Sequence, residues 1–329
     1  MTLELAALEK GEPAEAAARA ALAAGVEIRM LDTLAGLHDV VRLYDAIWRP
    51  DPANPPITTE LLRALTKAGN YVSGAFDLAS GAMIGACVGF FGPPVHAELH
   101  SHIAGVLPAG LRRSVGFALK AHQRAWVLRR GASVITWTYD PLIRRNAYFN
   151  LVKLGARPVE YLPNFYGDMN DAINGSAESD RALAHWDLRA PLVVAACAGK
   201  TSPASFAAER ARGAVVALAA GADGWPVTGW PAAGLDAGLA TGLAAGRRPV
   251  LVGVPDDIEA LRVADPVRAA AWRSALRDAL APLLAAGARV TGFDRDGWYV
   301  VSLAGPENTA GPENIAGPEN MAGPGERNA

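Results

Sequence analysis

The chain of 329 residues contains only two cysteines, Cys87 and Cys197, each inside an apolar run. Two isolated thiols make neither a disulfide framework nor a metal cage, so a reducing, cytoplasmic setting is the simple expectation. Long hydrophobic runs are missing. Even the Ala-rich stretches are broken by Gly, Pro and Arg before the roughly 18 apolar residues that a membrane span needs. The opening stretch, MTLELAALEKGEPAEAAARAALAAG, mixes acidic with apolar positions and has no basic segment ahead of an apolar one, so it does not read as a secretion signal. One amphipathic helix over residues 1–24 is expected instead. Charge of one sign is also scarce: 31 Lys and Arg are interspersed with 33 Asp and Glu for a net charge of −2. That leaves no basic stripe to follow a phosphate backbone, and neither nucleic acid nor a membrane is an expected partner.

At this length one large or two moderate cores are expected, and the pattern changes near residue 190. From Val26 to Leu188 strand-like and helix-like segments succeed one another, whereas Thr201 to Arg248 is mostly Ala and Gly with scattered Pro and Trp. VEIRM suits a short strand. A helix over 32–48 follows and is stopped by RPDPANPP, and Thr58 caps the next helix, TTELLRALTKAG. NYVSGAF, GAMIGACVGFFG and ELHSHIAGVLP carry β-branched and aromatic residues with glycine punctuation and read as successive antiparallel strands. Arg113 to Arg130 is a helix ended by Gly131. SVITWTYD is a strand, LIRRNAYFNLVKLG a helix ended by Gly155, and RPVEYLPNFYG and AHWDLRA are the last two strands. The order βααβββαβαββ predicts a mixed α/β (α+β) domain over residues 25–190.

Residues 191–303 hold a shorter set. RPVLVGVP is a strand and DPVRAAAWRSALRDALAPLLAAG a helix with Pro266 in its first turn. GARVTGF and GWYVVSL form a hairpin around the turn from Asp294 to Gly297. Strand, helix, strand, strand repeats the close of the first domain, so a second, partial copy of that architecture is expected, with Trp225, Trp230, Trp272 and Trp298 in its core. Over residues 304–329 the unit AGPEN recurs with a six-residue period. A Pro/Gly-rich tail of this kind buries too little apolar surface to offset chain entropy and is expected to be disordered.

The chemistry is expected in HAELHSHIAGVLPAGLRRSVGFALKAHQRAWVLRRG, which runs from strand through loop into helix. A helix start offers unpaired N–H groups and the positive end of the macrodipole. The amides of Arg112, Arg113, Ser114, Val115 and Gly116 are thus placed to hold a pyrophosphate, with the Arg112 and Arg113 side chains adding charge-assisted bonds. Ahead of them His96, Glu98, His100 and His102 alternate, and period two sets them on one strand face. A solvated strand face is the plain alternative. A zinc site is a further one, disfavoured because same-face strand neighbours point in parallel and do not converge tetrahedrally. Asp140 before Pro141 reads as a helix N-cap. Asn164, Tyr166, Asp168 and Asn170 form a polar loop suited to an ammonium or carboxylate, although such a loop needs no ligand to explain it.

VLPAGLRRSVGFALKAHQ resembles the core motif of the GNAT acyltransferase superfamily, in which a strand ending V-x-P leads into a Q/R-x-x-G-x-G/A loop around the coenzyme A pyrophosphate. On that pattern Leu111 stands at the Gln/Arg place and Ser114 at the first Gly, while Gly116 keeps the last. The wider run through NAYFNLVKLGA and YLPNFYGDMNDAIN is similar to one branch of the superfamily, which carries a C-terminal extension and includes members associated with N-succinyl amino acid metabolism. The resemblance implies a GNAT-like mixed sheet splayed between two strands and flanked by helices. Pantetheine would sit in the splay beside Val106 and Leu107, with residues 112–116 on the pyrophosphate.

The implied reaction moves an acetyl, succinyl or related acyl group from coenzyme A (as acetyl-CoA, succinyl-CoA or another acyl-CoA) to the amine of a small metabolite or amino acid, and a homodimer is compatible with it. An amine is protonated at neutral pH, so the reaction needs a base. Glu98, His100 and His102 are the candidates, directly or through water. The tyrosine that protonates the leaving thiolate in many members falls here on Leu151; Tyr148, one turn earlier, is the substitute, and Tyr139 a second. Ser114 in place of glycine suits the cradle if its φ is negative. The alternatives are a non-catalytic acyl-CoA-binding or partner-binding protein of the same fold, and a different acyl-CoA reaction in the same pocket.

Overall fold

Four alanines on one face of α1 (Glu12–Ala24) are buried, and Gly25 ends the helix in the left-handed region at φ 65°. Strand β1 (Val26–Met30) follows. Thr33 caps α2 (Leu34–Trp48) by accepting from the Gly36 amide, and Thr58 caps α3 (Thr59–Lys67) by accepting from Leu61. Then come β2 (Tyr71–Asp77), β3 (Met83–Phe91), β4 (Glu98–Val106), α4 (Val115–Leu128), β5 (Val134–Tyr139), α5 (Arg144–Tyr148), β6 (Arg157–Leu162) and β7 (Arg181–Asp187). From Val26 onward this is the order expected from the sequence. The computed structural model describes residues 11–51, 55–93, 97–167, 178–229 and 248–303. Residues 1–10, His96, Asp168, Asn170, Trp230 and the tail 304–329 lie outside the described residues.

The seven strands form one sheet in the order β1-β2-β3-β4-β5-β7-β6. All neighbours are antiparallel except β4 and β5, which run parallel. Alternate residues of the strands feed two cores. Leu37, Val40, Tyr44 and Leu62 of α2 and α3 pack with Val72, Ala86 and Val88, whereas Val115, Leu119 and Trp126 of α4 share a core with Tyr71, Cys87 and Leu99. Each fully buried side chain of this size contributes about 2 kcal/mol, so the sheet is held from both faces. The helix expected after β5 is α-helical for one turn only and continues as a π-turn over Phe149–Lys153, a local widening that often accompanies a functional site.

The second unit begins with α6 (Pro191–Cys197), α7 (Phe206–Ala211), β8 (Val215–Ala220) and β9 (Pro226–Thr228), and continues with β10 (Val250–Gly253), α8 (Ile258–Ala264), α9 (Pro266–Ala285), β11 (Arg289–Asp294) and β12 (Trp298–Ser302). Its sheet runs β11-β12-β10-β8-β9, with β10 parallel to β8 and antiparallel to β12. The order β6-β7-β5-β4 of the first sheet is repeated, as the expected partial copy requires. Of the tryptophans read as its core, Trp272 is fully buried, Trp298 is half-buried and Trp225 is exposed. Among the described residues no helix is long and apolar enough to cross a membrane.

The units are joined by charge. Asp140, 4% exposed at the end of β5, receives Arg273 of α9 at 2.8 and 3.3 Å and also Arg262 of α8. Burial alone would raise its carboxyl pKa, but the charges of Arg273, Arg262 and Arg181 hold it below the ordinary value. Asp140 is not the N-cap expected from sequence. Its Oδ1 accepts from the Leu142 amide in a local turn, and α5 is preceded by Ile143, because Pro141 and Leu142 must first turn the chain off the sheet. Arg277 adds a pair with Asp180, and Tyr299 donates to the Pro141 carbonyl at 2.8 Å.

Candidate active site

The parallel pairing of β4 with β5 covers Glu98↔Val134, Leu99↔Ile135 and His100↔Thr136, and beyond His100 the strands part. On its other side β4 stays laddered to β3, with the Leu107 amide donating to the Ile84 carbonyl at 2.9 Å. Backbone groups alternate in direction along an antiparallel strand, so the N–H and C=O of Val106 and Ala104 turn into the gap that β5 has left. The register of the β3–β4 ladder shifts between Val88 and Phe90, leaving β4 an extra residue near Ser101 and His102. Such a bulge sharpens the local twist. The outcome is a fork with its crotch at His100 and its open end at the loop before α4.

On one face of the fork stand Glu98, His100 and His102. The His100 and His102 rings are 6.5 Å apart, both within 6 Å of Phe90, and His100 Nδ1 lies 3.2 Å from Thr136 Oγ1. Burial first, then the neighbouring His102 and Lys120, bring the His100 pKa down to about 4. Burial also lowers that of His102, against a bond that its imidazole donates to the Pro56 carbonyl. Both imidazoles are therefore neutral at physiological pH and able to take a proton, though weakly basic. Nearby, Tyr166 and Thr138 share a hydroxyl contact of 2.8 Å. The polar loop after β6 thus reaches the free arm of β5, on which Thr138 sits. Among the described residues no three His, Cys, Asp or Glu gather as a metal cage.

The loop at the open end departs from the expectation for Ser114. Its φ is +64°, and that of Arg112 is +62°, two left-handed residues on either side of Arg113, each costing roughly 1–2 kcal/mol without glycine. Such strain is sustained where the surroundings impose it, commonly at binding sites. Alternation into the left-handed region also turns successive N–H groups toward one concavity, an anion nest. Val115 is buried, Gly116 follows in the first turn of α4, and the amides of that turn have no intrahelical acceptor. Arg112 is exposed beside them.

The Arg113 side chain is turned elsewhere. Its guanidinium donates to the Ala24 and Gly25 carbonyls at 3.1 and 3.2 Å and to Asp77 at 2.5 Å. It ties the loop to the end of α1 and to β2, and holds the Asp77 carboxyl below its usual range. What it positions is the loop; its charge is already matched.

Tyr148 also departs from its expected role. Its hydroxyl accepts from Arg295 Nε at 3.1 Å and it lines a cleft of about 630 Å³ between α5 and the second unit, together with Arg144, Arg145, Asp256 and Glu259. The π-turn brings Phe149 to the loop instead, 3.9 Å from where a Gly116 Cβ would stand. Tyr139 is buried, and burial drives its hydroxyl pKa well up, so neither phenol is disposed as an acid in the fork.

Sequence reasoning passed over Lys120. This residue of α4 is 5% exposed, and its Nζ lies 2.7 Å from Ser101 Oγ, 3.2 Å from Gln123 Oε1 and 4.0 Å from the centroid of the Trp137 ring. No local signal marked it: Lys120 lies off the apolar stripe of Val115, Ala118 and Leu119, and it is buried because the helix is covered on nearly every side, Gln123 and Arg124 included.

A mixed sheet that forks beyond a short parallel pair, with a strained loop and a helix start at its open end, is the arrangement that the GNAT resemblance of the sequence implies. No family model matches this chain, and no curated protein matches it. Among solved structures it is similar to the ribosomal-protein-S18-alanine N-acetyltransferase of Escherichia coli, at 15% identity and a TM-score of 0.40 over 50% of this chain and 94% of that one. It is also similar to an N-acetyltransferase from Staphylococcus aureus Mu50, at 13% identity and a TM-score of 0.41 over 50% of this chain and 99% of that one. A third likeness is to the ribosomal-protein-S5-alanine acetyltransferase of Vibrio fischeri, at 15% identity and a TM-score of 0.39 over 50% and 94%.

Proposed function

We propose that the chain is an acyl-coenzyme A-dependent N-acyltransferase of GNAT type, acting on the amine of a small metabolite or amino acid. The observation that carries the reading is the fork itself, where the backbone groups of Ala104 and Val106 face an unfilled strand position. An amide-bearing pantetheine arm pairs with such an edge as a strand would. The nest at Arg112 to Ser114 and the first-turn amides of α4 take the pyrophosphate, and the exposed Arg112 adds charge.

With the thioester held in the fork, its carbonyl oxygen takes an N–H from β4, which stabilises the charge that develops there. The acceptor approaches from the face of His100 and His102. Its nitrogen attacks the carbonyl carbon, the C–N bond forms, and the C–S bond breaks with its electron pair leaving on sulfur. The proton lost by nitrogen passes to His100 or His102, or through water to bulk, with Glu98, two residues behind the crotch on the same strand face, as an alternative acceptor. The thiolate leaves without help from Tyr148, which lies in the cleft against the second unit, accepting from Arg295.

Calorimetric titration with coenzyme A tests the cofactor half of the reading. A Cβ at Gly116 meets Phe149 and Val106 only at 3.9 Å, an ordinary contact, so the fold has room for a larger side chain there, and an indole occupies space beside the loop that the pyrophosphate would need. The wild-type chain is expected to bind, and Gly116→Trp to weaken binding by at least about thirtyfold, or about 2 kcal/mol, with the thermal midpoint kept. Absence of binding by the wild type would sink the reading. Binding without amine-dependent thiol release, across a panel of amines and acyl thioesters, would favour a non-catalytic acyl-CoA-binding protein.

A further inference from the structure

Lys120 is a buried cation without an anion. No carboxylate is paired with it among the described residues, and its contacts are a hydroxyl, an amide oxygen and the face of an indole. An uncompensated buried charge is costly, and burial brings its pKa down to about 8, which leaves it charged at neutral pH. Beside it Gln123 Nε2 is buried and meets no oxygen acceptor among the described residues, its polar neighbour being the Cys87 thiol. The position is specific. The last paired residues of β4 and β5 are His100 and Thr136, so Ser101 and Trp137, the residues Lys120 touches, are the first beyond the crotch. The ammonium closes the inner end of the fork on the face opposite His100.

We infer that the acyl group carried into the fork ends in a carboxylate, and that Lys120 and Gln123 are the residues that select it. The inference rests on the coenzyme A reading above. A cofactor anchored at the α4 loop runs inward along β4, and from Val106 to Ser101 the strand spans about 17 Å, comparable with an extended pantetheine arm. The acyl chain is the leading end and arrives at the crotch. A methyl group there leaves the ammonium as it is. A carboxylate a few bonds beyond the thioester pairs with Lys120 in a charge-assisted bond and accepts the idle N–H of Gln123. The substrates in this class are the mono-thioesters of short dicarboxylic acids.

Affinity alone tests this, with no need to know the acceptor. Coenzyme A, acetyl-CoA and succinyl-CoA are titrated in turn into the full chain and into Lys120→Met, which keeps the stem and drops the charge. The wild type is expected to bind succinyl-CoA at least about tenfold tighter than acetyl-CoA, and the variant to bring all three within about threefold while its affinity for acetyl-CoA stays. Equal wild-type affinities for acetyl- and succinyl-CoA, a comparison independent of how the variant folds, would overturn the inference and leave the transferase reading standing. So would a succinyl preference that survives in Lys120→Met. Failure of all three to bind the wild type would overturn both.

Discussion

The two sheets share a topology and use it in opposite ways. In each, a parallel pair is followed by an antiparallel strand inserted beside it: β4-β5-β7 in the first, β8-β10-β12 in the second. In the first, pairing stops at the third residue of the six-residue β5, and β4 alternates between covered and open positions along its length. In the second, β10 has four residues, all buried, and is paired with β8 from Val250 to Val252 and with β12 from Val250 to Gly253. The β8–β10 pair covers three of the four residues of β10, with a register shift after Leu251, whereas the β4–β5 pair ends halfway along β5 and leaves a gap beyond it. The second unit also holds the first in place, because Arg273 and Arg262 grip Asp140 where the free arm of β5 ends.

The largest expected effect comes from breaking that grip. Asp140→Ala leaves two guanidinium groups in a buried setting without their carboxylate, and removal of one partner from such a cluster costs about 3–5 kcal/mol. Chemical denaturation is expected to lose that much stability and to separate into two transitions, one for each unit. A single transition with unchanged stability would mean that the second unit does not buttress the fork.

Acid distinguishes the units next. All six histidines precede residue 190, and burial lowers the pKa of both His100 and His122 to about 4, below the unfolded value of about 6.5. Between those values the unfolded chain binds protons that the folded chain refuses, so stability is present above about pH 6.5 and is lost as pH falls toward 4. Each imidazole accounts for at most about 3 kcal/mol by pH 4, and His100, the more open of the two, for less, so a loss of several kcal/mol is expected with the larger share through His122. Hydrogen exchange at pH 7 and pH 4.5 should show opening confined to the first unit. Equal loss of protection in both would contradict the assignment.

What could be read from sequence divides along the same line. Thr58 as a cap, the glycine-punctuated strands β2 to β4 and the hairpin at Asp294 to Gly297 are local signals, and each formed where expected; Thr33 carries the same cap one helix earlier and was not singled out. The fork was foreseen through family resemblance alone, since no residue pattern encodes where a parallel partner leaves. α6, α7, β8 and β9 went unseen in or beside an Ala/Gly-rich stretch that carries no clear period. Tyr148 is oriented by Arg295, 147 positions along the chain, and Lys120 is buried only because α4 lies over Ser101 and Trp137. Side chains that owe their direction to distant partners are the part that local reading does not reach.

The smallest effect expected sharpens the contrast at the loop. Ser114 holds a left-handed conformation at φ +64° and its side chain makes no capping bond, so Ser114→Gly removes strain without removing a contact. The relief of roughly 1–2 kcal/mol is partly offset by the freedom glycine gains in the unfolded chain, about 0.4–1 kcal/mol. A net gain of about 0.5 kcal/mol, or one to two degrees in the thermal midpoint, is expected. If the cradle works through backbone amides, coenzyme A affinity should change by less than about threefold. A larger loss would mean that the serine hydroxyl itself touches the phosphate, and the departure from glycine would then be a feature of recognition in this loop.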